Sequence, residues 1–261
     1  MLKVASVQFD PQGYEISANW ERVKGFLLSL KGRGVDFAVL PELWWSEGRF
    51  REVIGRAVLE VEDVLDDARA VAKEIGVNVV LGTLPESAGE KFYNTSFVIN
   101  RVGDVVASYR KIHVFRYLGE DKYFRGGDKV VLLEIDGVKV GLEVCYDIRF
   151  FELSRLLALK GAQILLVPAA WPVDRLAHWR ILNMATAILA QVFVVSANRV
   201  GDAGALKYPG HSMVVDPWGE VLVEGEGEPG VLIADVDTGK IEEVRSKITV
   251  YRDMRPELYR V

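Results

Sequence analysis

Apolar residues recur along this chain at two alternating periods, and the order in which the periods alternate is itself repeated. Lys3 to Asp10 reads as a strand, after which Trp20, Val23, Leu27 and Leu30 fall on one face of a helix. Gly34 to Leu40 is a short buried strand closed by Pro41. A helix over about Glu62 to Ile75 follows, then a strand from Val77 to Leu81 and a hairpin whose first arm, Ser96 to Asn100, turns at Gly103-Asp104. The same succession begins again with a strand from Val138 to Val144 and a helix marked by Leu153, Leu156, Leu157 and Leu159. A strand from Ile164 closes at Pro168, and a helix over Ala177 to Ala190 leads to a strand from Val192 to Val195. A hairpin from Ser212 to Asp216, turning at Gly219-Glu220, completes the second round.

Lining up the two rounds sets Gln8 opposite Cys145 and Glu42 opposite Ala169. Each half reads β-α-β-α-β-β-β. Strands joined through helices run parallel and need both faces covered, yet each half carries helix enough for only one. Two such sheets would bury their bare faces against each other, which predicts a four-layer α-β-β-α sandwich in a single domain over residues 1–261. The stretch from about 246 to 261 lies beyond both repeats and interleaves aromatic and apolar residues with charge, a composition suited to contact between subunits.

Composition narrows the partners. Hydrophobic residues make up 50% of the 261, and the formal charge is −5, so no basic face for nucleic acid or anionic lipid is expected. The longest apolar run, Ile164 to Val173, has ten residues including two prolines, too short to cross a bilayer, and Met1-Leu2-Lys3 leads into a strand rather than a signal sequence. A cytoplasmic protein is expected. One cysteine permits no internal disulfide, and the three histidines, His113, His178 and His211, offer no metal-ligand spacing. No metal or cofactor is therefore expected.

Candidate chemistry gathers at strand ends, where open α/β sheets place their sites. Cys145 sits where its strand runs into a polar turn ahead of a helix, the position of an exposed nucleophile, although a lone cysteine also serves as a small core residue. Glu42 follows the second strand amid Leu40, Pro41, Leu43, Trp44 and Trp45, where a carboxylate is costly unless it has a task. Lys111 follows the first hairpin. Two residues on, His113 points to the same side of an extended segment, so a Cys-His hydrolase is a competing arrangement, with a hydrogen-bonded structural histidine as the plainer alternative.

Three motifs together resemble the nitrilase-related carbon-nitrogen hydrolases: Leu40-Pro41-Glu42-Leu43, Tyr109-Arg110-Lys111-Ile112-His113, and Glu143 to Phe150 around Cys145. Val167 to Trp171, His178-Trp179, Ala197 to Gly201 and Asp216 to Gly219 match further blocks of that family in order. The resemblance implies the same α-β-β-α sandwich, a Glu42-Lys111-Cys145 triad, and frequent dimerisation. It also implies an assisting role for Glu120, which precedes an aromatic-x-x-Gly turn. Gly126 stands where the family usually has proline, and Asn183 to Gln191 departs from the Arg-Ala and Glu-Asn pairs of many relatives.

In the implied reaction Glu42 takes the thiol proton, Cys145 attacks an amide carbonyl, and Lys111 with the Tyr146 backbone N–H holds the oxyanion before water releases the acid. The wording from Cys145 to Phe150 is most similar to the ω-amidase-like branch, which implies a small-molecule amide as substrate and ammonia as product. N-carbamoyl amino acid and nitrile hydrolysis use the same triad, and a catalytically silent binding or scaffolding member is an alternative of another class. Trp171 would line the pocket. Arg149, four residues after the nucleophile, either binds a substrate carboxylate through its planar fork or forms a structural ion pair with Asp147 or Glu152.

Overall fold

The computed structural model describes residues 1–47 and 50–259, with the side chains of 50–53 outside the description. Strand β1 (Leu2–Gln8), helix α1 (Ile16–Leu28), β2 (Phe37–Val39), α2 (Phe50–Ile75) and β3 (Asn78–Val80) come first, followed by β4 (Leu84–Ala88), β5 (Lys91–Ile99) and β6 (Val105–Arg110). The second round is β7 (Leu132–Ile135), β8 (Val138–Leu142), α3 (Phe151–Leu159), β9 (Ile164–Ala169), α4 (Leu176–Ala190) and β10 (Phe193–Asn198). After it come β11 (Val200–Ala203), β12 (Leu206–Pro209), β13 (Met213–Val215), β14 (Val221–Glu224), β15 (Gly230–Val236), α5 (Gly239–Lys247) and α6 (Val250–Asp253).

Two sheets result. In the first, the order is β15-β1-β2-β3-β5-β4, with β6 also on β5; in the second it is β14-β13-β10-β9-β8-β7. The strands linked through helices, β1 with β2 and β3, and β8 with β9 and β10, are parallel as expected. Alternation along each strand sorts side chains between the layers. Val4, Phe37, Val39 and Val80 join Val140, Leu142 and Val194 in one buried cluster between the sheets. Their neighbours Ala5, Val7, Ala38, Leu40, Val79 and Leu81 belong to a second cluster with Trp20, Val23 and Leu27 of α1 and Val64, Ala68 and Val71 of α2. The seam between the sheets also carries a polar tie, from the Ser6 hydroxyl to the Ser196 carbonyl at 2.7 Å. The architecture is the α-β-β-α sandwich.

The structure departs from the simple repeat in four places. Helix α2 begins at Phe50 rather than near Glu62, its apolar stripe extending back through Val61, Ala57 and Ile54. Strand β4 (Leu-Pro-Glu-Ser-Ala) has little strand propensity and carries Pro85, which is tolerated because β4 is an edge strand paired only with β5. Strands β11 and β12 form a separate two-stranded hairpin. The last strand, β15, leaves the second round and pairs antiparallel with β1 along its whole length, from Leu2 opposite Val236 to Gln8 opposite Gly230. In the second sheet β7 fills the same place beside β8.

The tail divides in two. Its first part packs on its own subunit at the end of α4, where Gln191 donates to the Ile248 carbonyl at 2.7 Å and the Tyr251 hydroxyl to the Ala190 carbonyl. Leu258 and Tyr259 beyond it are exposed. Gln191, one of the residues that depart from the family wording, caps α4 in a left-handed conformation at φ +49°, and Asn183 is buried with its amide on the Trp179 carbonyl. These positions serve helix and tail packing. Among the described residues no helix is long and apolar enough to cross a membrane, and no group of three or more His, Cys, Asp and Glu is placed to hold a metal ion.

Candidate active site

Three strand ends meet at one point. The Glu42 backbone N–H donates to the Ala169 carbonyl at 3.2 Å, so the two positions paired by the sequence repeat touch across the seam. From there the Glu42 side chain turns toward Lys111, whose ammonium donates to Glu42 Oε1 at 2.8 Å and to both oxygens of Glu120, at 2.8 and 3.1 Å. All three side chains are buried. Asn94 of β5 bridges the two acids, its Nδ2 donating to Glu42 Oε1 at 2.8 Å and to Glu120 Oε1 at 3.0 Å. Both acceptors are carboxylates, which fixes which end of the Asn94 amide faces them. The second Glu42 oxygen accepts the Ala170 N–H at 2.9 Å, and the second Glu120 oxygen accepts the Phe115 N–H at 2.5 Å.

The lysine is locked from its backbone as well. Its N–H donates to the Asn94 carbonyl at 2.9 Å, and its carbonyl accepts the Gly127 N–H at 2.8 Å. The returning chain passes so close that a Cβ on Gly127 would lie 2.2 Å from the Arg110 carbonyl oxygen, and one on Gly126 2.6 Å from that of Ile112.

Cys145 opens a single turn, Cys145–Arg149, between β8 and α3, with φ at +50°. A left-handed conformation costs a residue with a Cβ about 1–2 kcal/mol, so it needs bracing. Asp147, fully buried, supplies the brace. Its Oδ2 accepts the Val144 N–H at 3.0 Å and the Tyr109 hydroxyl at 2.7 Å, while its Oδ1 accepts the His113 N–H at 2.9 Å and His113 Nδ1 at 2.7 Å. One carboxylate thus bolts the nucleophile's turn to the strand that carries Lys111. His113 is spoken for by this bond and by its ring, which stacks on Phe150 at 3.5 Å between centroids. The geometry gives it the structural role.

Electrostatics set the resting protonation. Burial raises the Cys145 pKa, the Glu42 carboxylate raises it further, and Lys111 and the Ala170 N–H oppose them without prevailing. The thiol therefore rests protonated beside the Glu42 carboxylate. At Lys111 burial favours the neutral amine, but the carboxylates of Glu120 and Glu42 overcome it and hold the ammonium charged. The site is a thiol beside a carboxylate base, with one fixed positive charge between two acids. A further acid, Glu143, lies fully buried two residues before the nucleophile with both oxygens unbonded. Burial pushes its carboxyl up to about 8, the nearby Ser154 hydroxyl pulling the other way and Asp147 adding to the rise.

The profile of the carbon-nitrogen hydrolase family matches residues 3–246. The chain belongs to this family. This carbon-nitrogen hydrolase is 34% identical over 264 residues to the 2-oxoglutaramate amidase of Bacillus subtilis, with 98% of each chain covered, and 33% identical over 272 residues to the human omega-amidase NIT2, covering 100% of this chain and 95% of that one. Among solved structures it superposes on a carbon-nitrogen hydrolase from Helicobacter pylori with a TM-score of 0.90 at 26% identity, covering 99% and 96% of the two chains. It superposes on an amidase from Nesterenkonia sp. AN1 with a TM-score of 0.88 at 27% identity, covering 99% and 95%. That amidase carries the acetamide moiety of fluoroacetamide bound covalently at its active-site cysteine. The hydrolase is thus an amidase of the nitrilase superfamily, and its buried Glu42, Lys111 and Cys145 fit the Glu-Lys-Cys triad.

Around the triad the structure gathers residues that the motifs do not reveal. Asn94 and Asp147 are the two chief examples, since each acts through partners 26 to 52 and 34 to 38 positions away. Tyr208, on the β11–β12 hairpin, feels the charges of Glu42, Cys145 and Lys111, and its ring covers the buried Arg199 guanidinium at 4.3 Å. Tyr146 packs on Phe115 at 4.7 Å. Arg149, half-buried and within reach of the Cys145 charge, stands over the Trp171 ring at 4.6 Å and with Nη2 3.2 Å from His178 Nδ1. It pairs with neither Asp147 nor Glu152. Trp171 lies buried beneath it, its backbone N–H held by Asn198 at 2.6 Å.

Proposed function

We propose that the enzyme hydrolyses the primary amide of a small dicarboxylic acid, releasing ammonia and the free acid, with a 2-oxo-acid ω-amide such as 2-oxoglutaramate as the best-fitting substrate. The observation that carries this reading is the guanidinium of Arg149, which has no acid partner among the described residues and lies close enough to Cys145 to feel its charge. A planar fork suits a carboxylate, and a carboxylate bound there presents the other end of a short substrate to Cys145. The names of the Bacillus and human relatives agree with an ω-amide.

Glu42 takes the proton of Cys145 as sulfur bonds to the amide carbon. The oxyanion is held by the Lys111 ammonium and the Tyr146 N–H, each donor contributing about 3 kcal/mol to the transition state. Glu42 then passes its proton to nitrogen, the C–N bond breaks, ammonia leaves and a thioester remains. Water attacks the thioester as Glu42 removes its proton; the C–S bond breaks, and the thiol regains a proton from Glu42. Glu120 keeps Lys111 charged and aimed at the position of the oxyanion, its two oxygens bracketing the ammonium as described. Trp171 supports Arg149 from below.

We further propose a single-domain cytoplasmic enzyme that works as a homodimer. Ile181, Ile188 and Leu189 of α4 and Leu156 and Leu159 of α3 are exposed on the outer helical layer, which supports that layer, with the exposed end of the tail, as the contact. Light scattering on the wild type and an Ile188→Glu variant tests it, and a monomeric mass for the wild type sinks it. The substrate assignment is tested by ammonia release from dicarboxylate ω-amides, neutral amides, N-carbamoyl amino acids and nitriles. A clear kcat/KM preference for the ω-amides is expected; a preference for nitriles or carbamoyl compounds overturns the assignment, and absence of any acyl adduct on Cys145 across all four would mark a silent binding protein.

A further inference from the structure

Some arginines of this chain are each held by an acid. Arg110 meets Glu86 at 2.5 Å and Arg101 meets Asp136 at 2.7 Å, while the more exposed Arg180 meets Glu224 at 2.8 Å. Arg149 and Arg175 are not. Neither has an ion pair with a described residue, yet they stand close enough for the charge of Arg175 to act on Arg149. Both are held in place. The Trp171 ring lies under Arg149, and the same indole donates its N–H to the Arg175 carbonyl at 2.8 Å. The Arg175 guanidinium faces the rings of Phe115 at 5.5 Å and Tyr117 at 5.3 Å, and Phe115 in turn packs on Tyr146, the residue after the nucleophile.

Two like charges within electrostatic reach of each other at half-buried positions repel, and the aromatic faces offset that only in part. An anion between them removes the repulsion and supplies acceptors for both forks. We infer that Arg149 and Arg175 together form a two-guanidinium subsite for the far carboxylate of the substrate, and that Arg175 sets charge selectivity at the adjacent carbon. This rests on the acid-bearing substrate proposed above and adds the second residue and its consequence. An ammonium group next to the bound carboxylate would face two guanidiniums. A 2-oxo or unsubstituted diacid monoamide is therefore accepted, and the 2-amino acid of the same skeleton is refused.

The test compares wild type with Arg175→Met, Arg175→Lys, Arg175→Glu and Arg149→Met on glutaramate, on neutral valeramide and on glutamine, with glutarate as a competitive inhibitor. For Arg175→Met the KM for glutaramate and the Ki for glutarate are expected to rise together by about 10- to 100-fold, as for one lost charge-assisted contact, with kcat and the valeramide KM nearly unchanged. Arg175→Lys should recover part of the loss, and Arg175→Glu should improve glutamine relative to glutaramate. If Arg149→Met raises both constants while Arg175→Met leaves them within about twofold, the Arg175 subsite is overturned and the acid-bearing substrate stands. If the wild type itself does not prefer glutaramate to valeramide, the substrate reading fails first and the subsite with it. A kcat loss equal on all substrates with a lowered thermal midpoint would assign Arg175 to structure and also overturn the inference.

Discussion

The ends of β1 and β8 are the same place in the two halves of the sandwich, and they do opposite work. At the end of β8 the chain turns left-handed at Cys145 and offers a thiol to the cleft. At the end of β1 stands Gln8, whose amide donates to the Glu226 and Glu228 carbonyls, both at 2.8 Å, and accepts the Ser212 N–H at 2.7 Å. The second pair of equivalent positions shows the same division. Glu42 supplies the base, while Ala169 offers only a carbonyl to the Glu42 N–H, and Ala170 only an N–H to its carboxylate. A duplicated plan needs one nucleophile and one base, and the counterpart of each can become scaffold. The reactive partners come from different halves, so the site exists only where the two halves touch.

Breaking the chemical end should cost rate and little else. Cys145→Ala is expected to lower turnover by about four orders of magnitude or more, with a thermal midpoint within a few degrees of wild type, since the replaced side chain is small and buried. Retained activity would remove the thioester from the mechanism altogether.

The next largest effect should come from Lys111→Met. It leaves Glu42 and Glu120 as adjacent buried acids without their shared cation, at a cost of about 3–5 kcal/mol in denaturant unfolding. Adding Glu120→Gln should return part of the stability without returning activity. A double variant no more stable than Lys111→Met would show that charge pairing does not dominate this cluster.

Breaking the scaffold end should reverse the pattern. Gln8→Leu strands two carbonyls and an N–H, so a loss of about 2–3 kcal/mol of stability is expected while kcat for the folded fraction stays within a few-fold of wild type. A collapse of kcat at unchanged stability would mean that the two strand ends are not divided as described.

The last effect builds up gradually with pH and concerns Glu143, on the chemical side. Its folded pKa of about 8 lies above the ordinary 4.5, so between those values the folded protein holds one proton more than the unfolded chain. Stability should fall as pH rises through that window, by about 1 kcal/mol per pH unit, and level off on either side. Unfolding midpoints of wild type and Glu143→Gln should converge near pH 4.5 and separate toward pH 8, with the variant losing less. Parallel curves would show that the carboxyl finds a partner in solution.

What could be read from the sequence follows from which contacts are local. The paired strands, three helices and both main hairpins announced themselves through periodicity and turn residues, and Glu42, Lys111 and Cys145 through motifs at strand ends. Helix α2 was read short because its first turns are rich in charge around a sparse apolar stripe. Strand β4 was missed because Pro85 and Glu86 argue against a strand, and only its pairing with β5 makes it one. Asn94 has no local signature: it is a polar residue in a β5 segment whose meaning depends on Glu42 and Glu120 arriving from elsewhere. Asp147 lay within a recognised motif, but its role as the bolt to Tyr109 and His113 depends on β6 lying alongside. Arg149 looked as ready for an ion pair as for a substrate. In the structure it pairs with neither Asp147, whose oxygens already accept four bonds, nor Glu152, and rests over Trp171 and against His178 instead.

The pairing of β15 with β1 has a consequence for how the chain is made. During synthesis β1 emerges well before its antiparallel neighbour, which consists of residues 230–236, and the carbonyls that seat Gln8 belong to residues 226 and 228. Until residues 230–236 have been translated, one edge of β1 has no hydrogen-bonding partner of its own and is open to pairing with another nascent chain. A strand made early is secured late, and prolonged pausing before residue 230 would expose this protein to aggregation more than pausing after it.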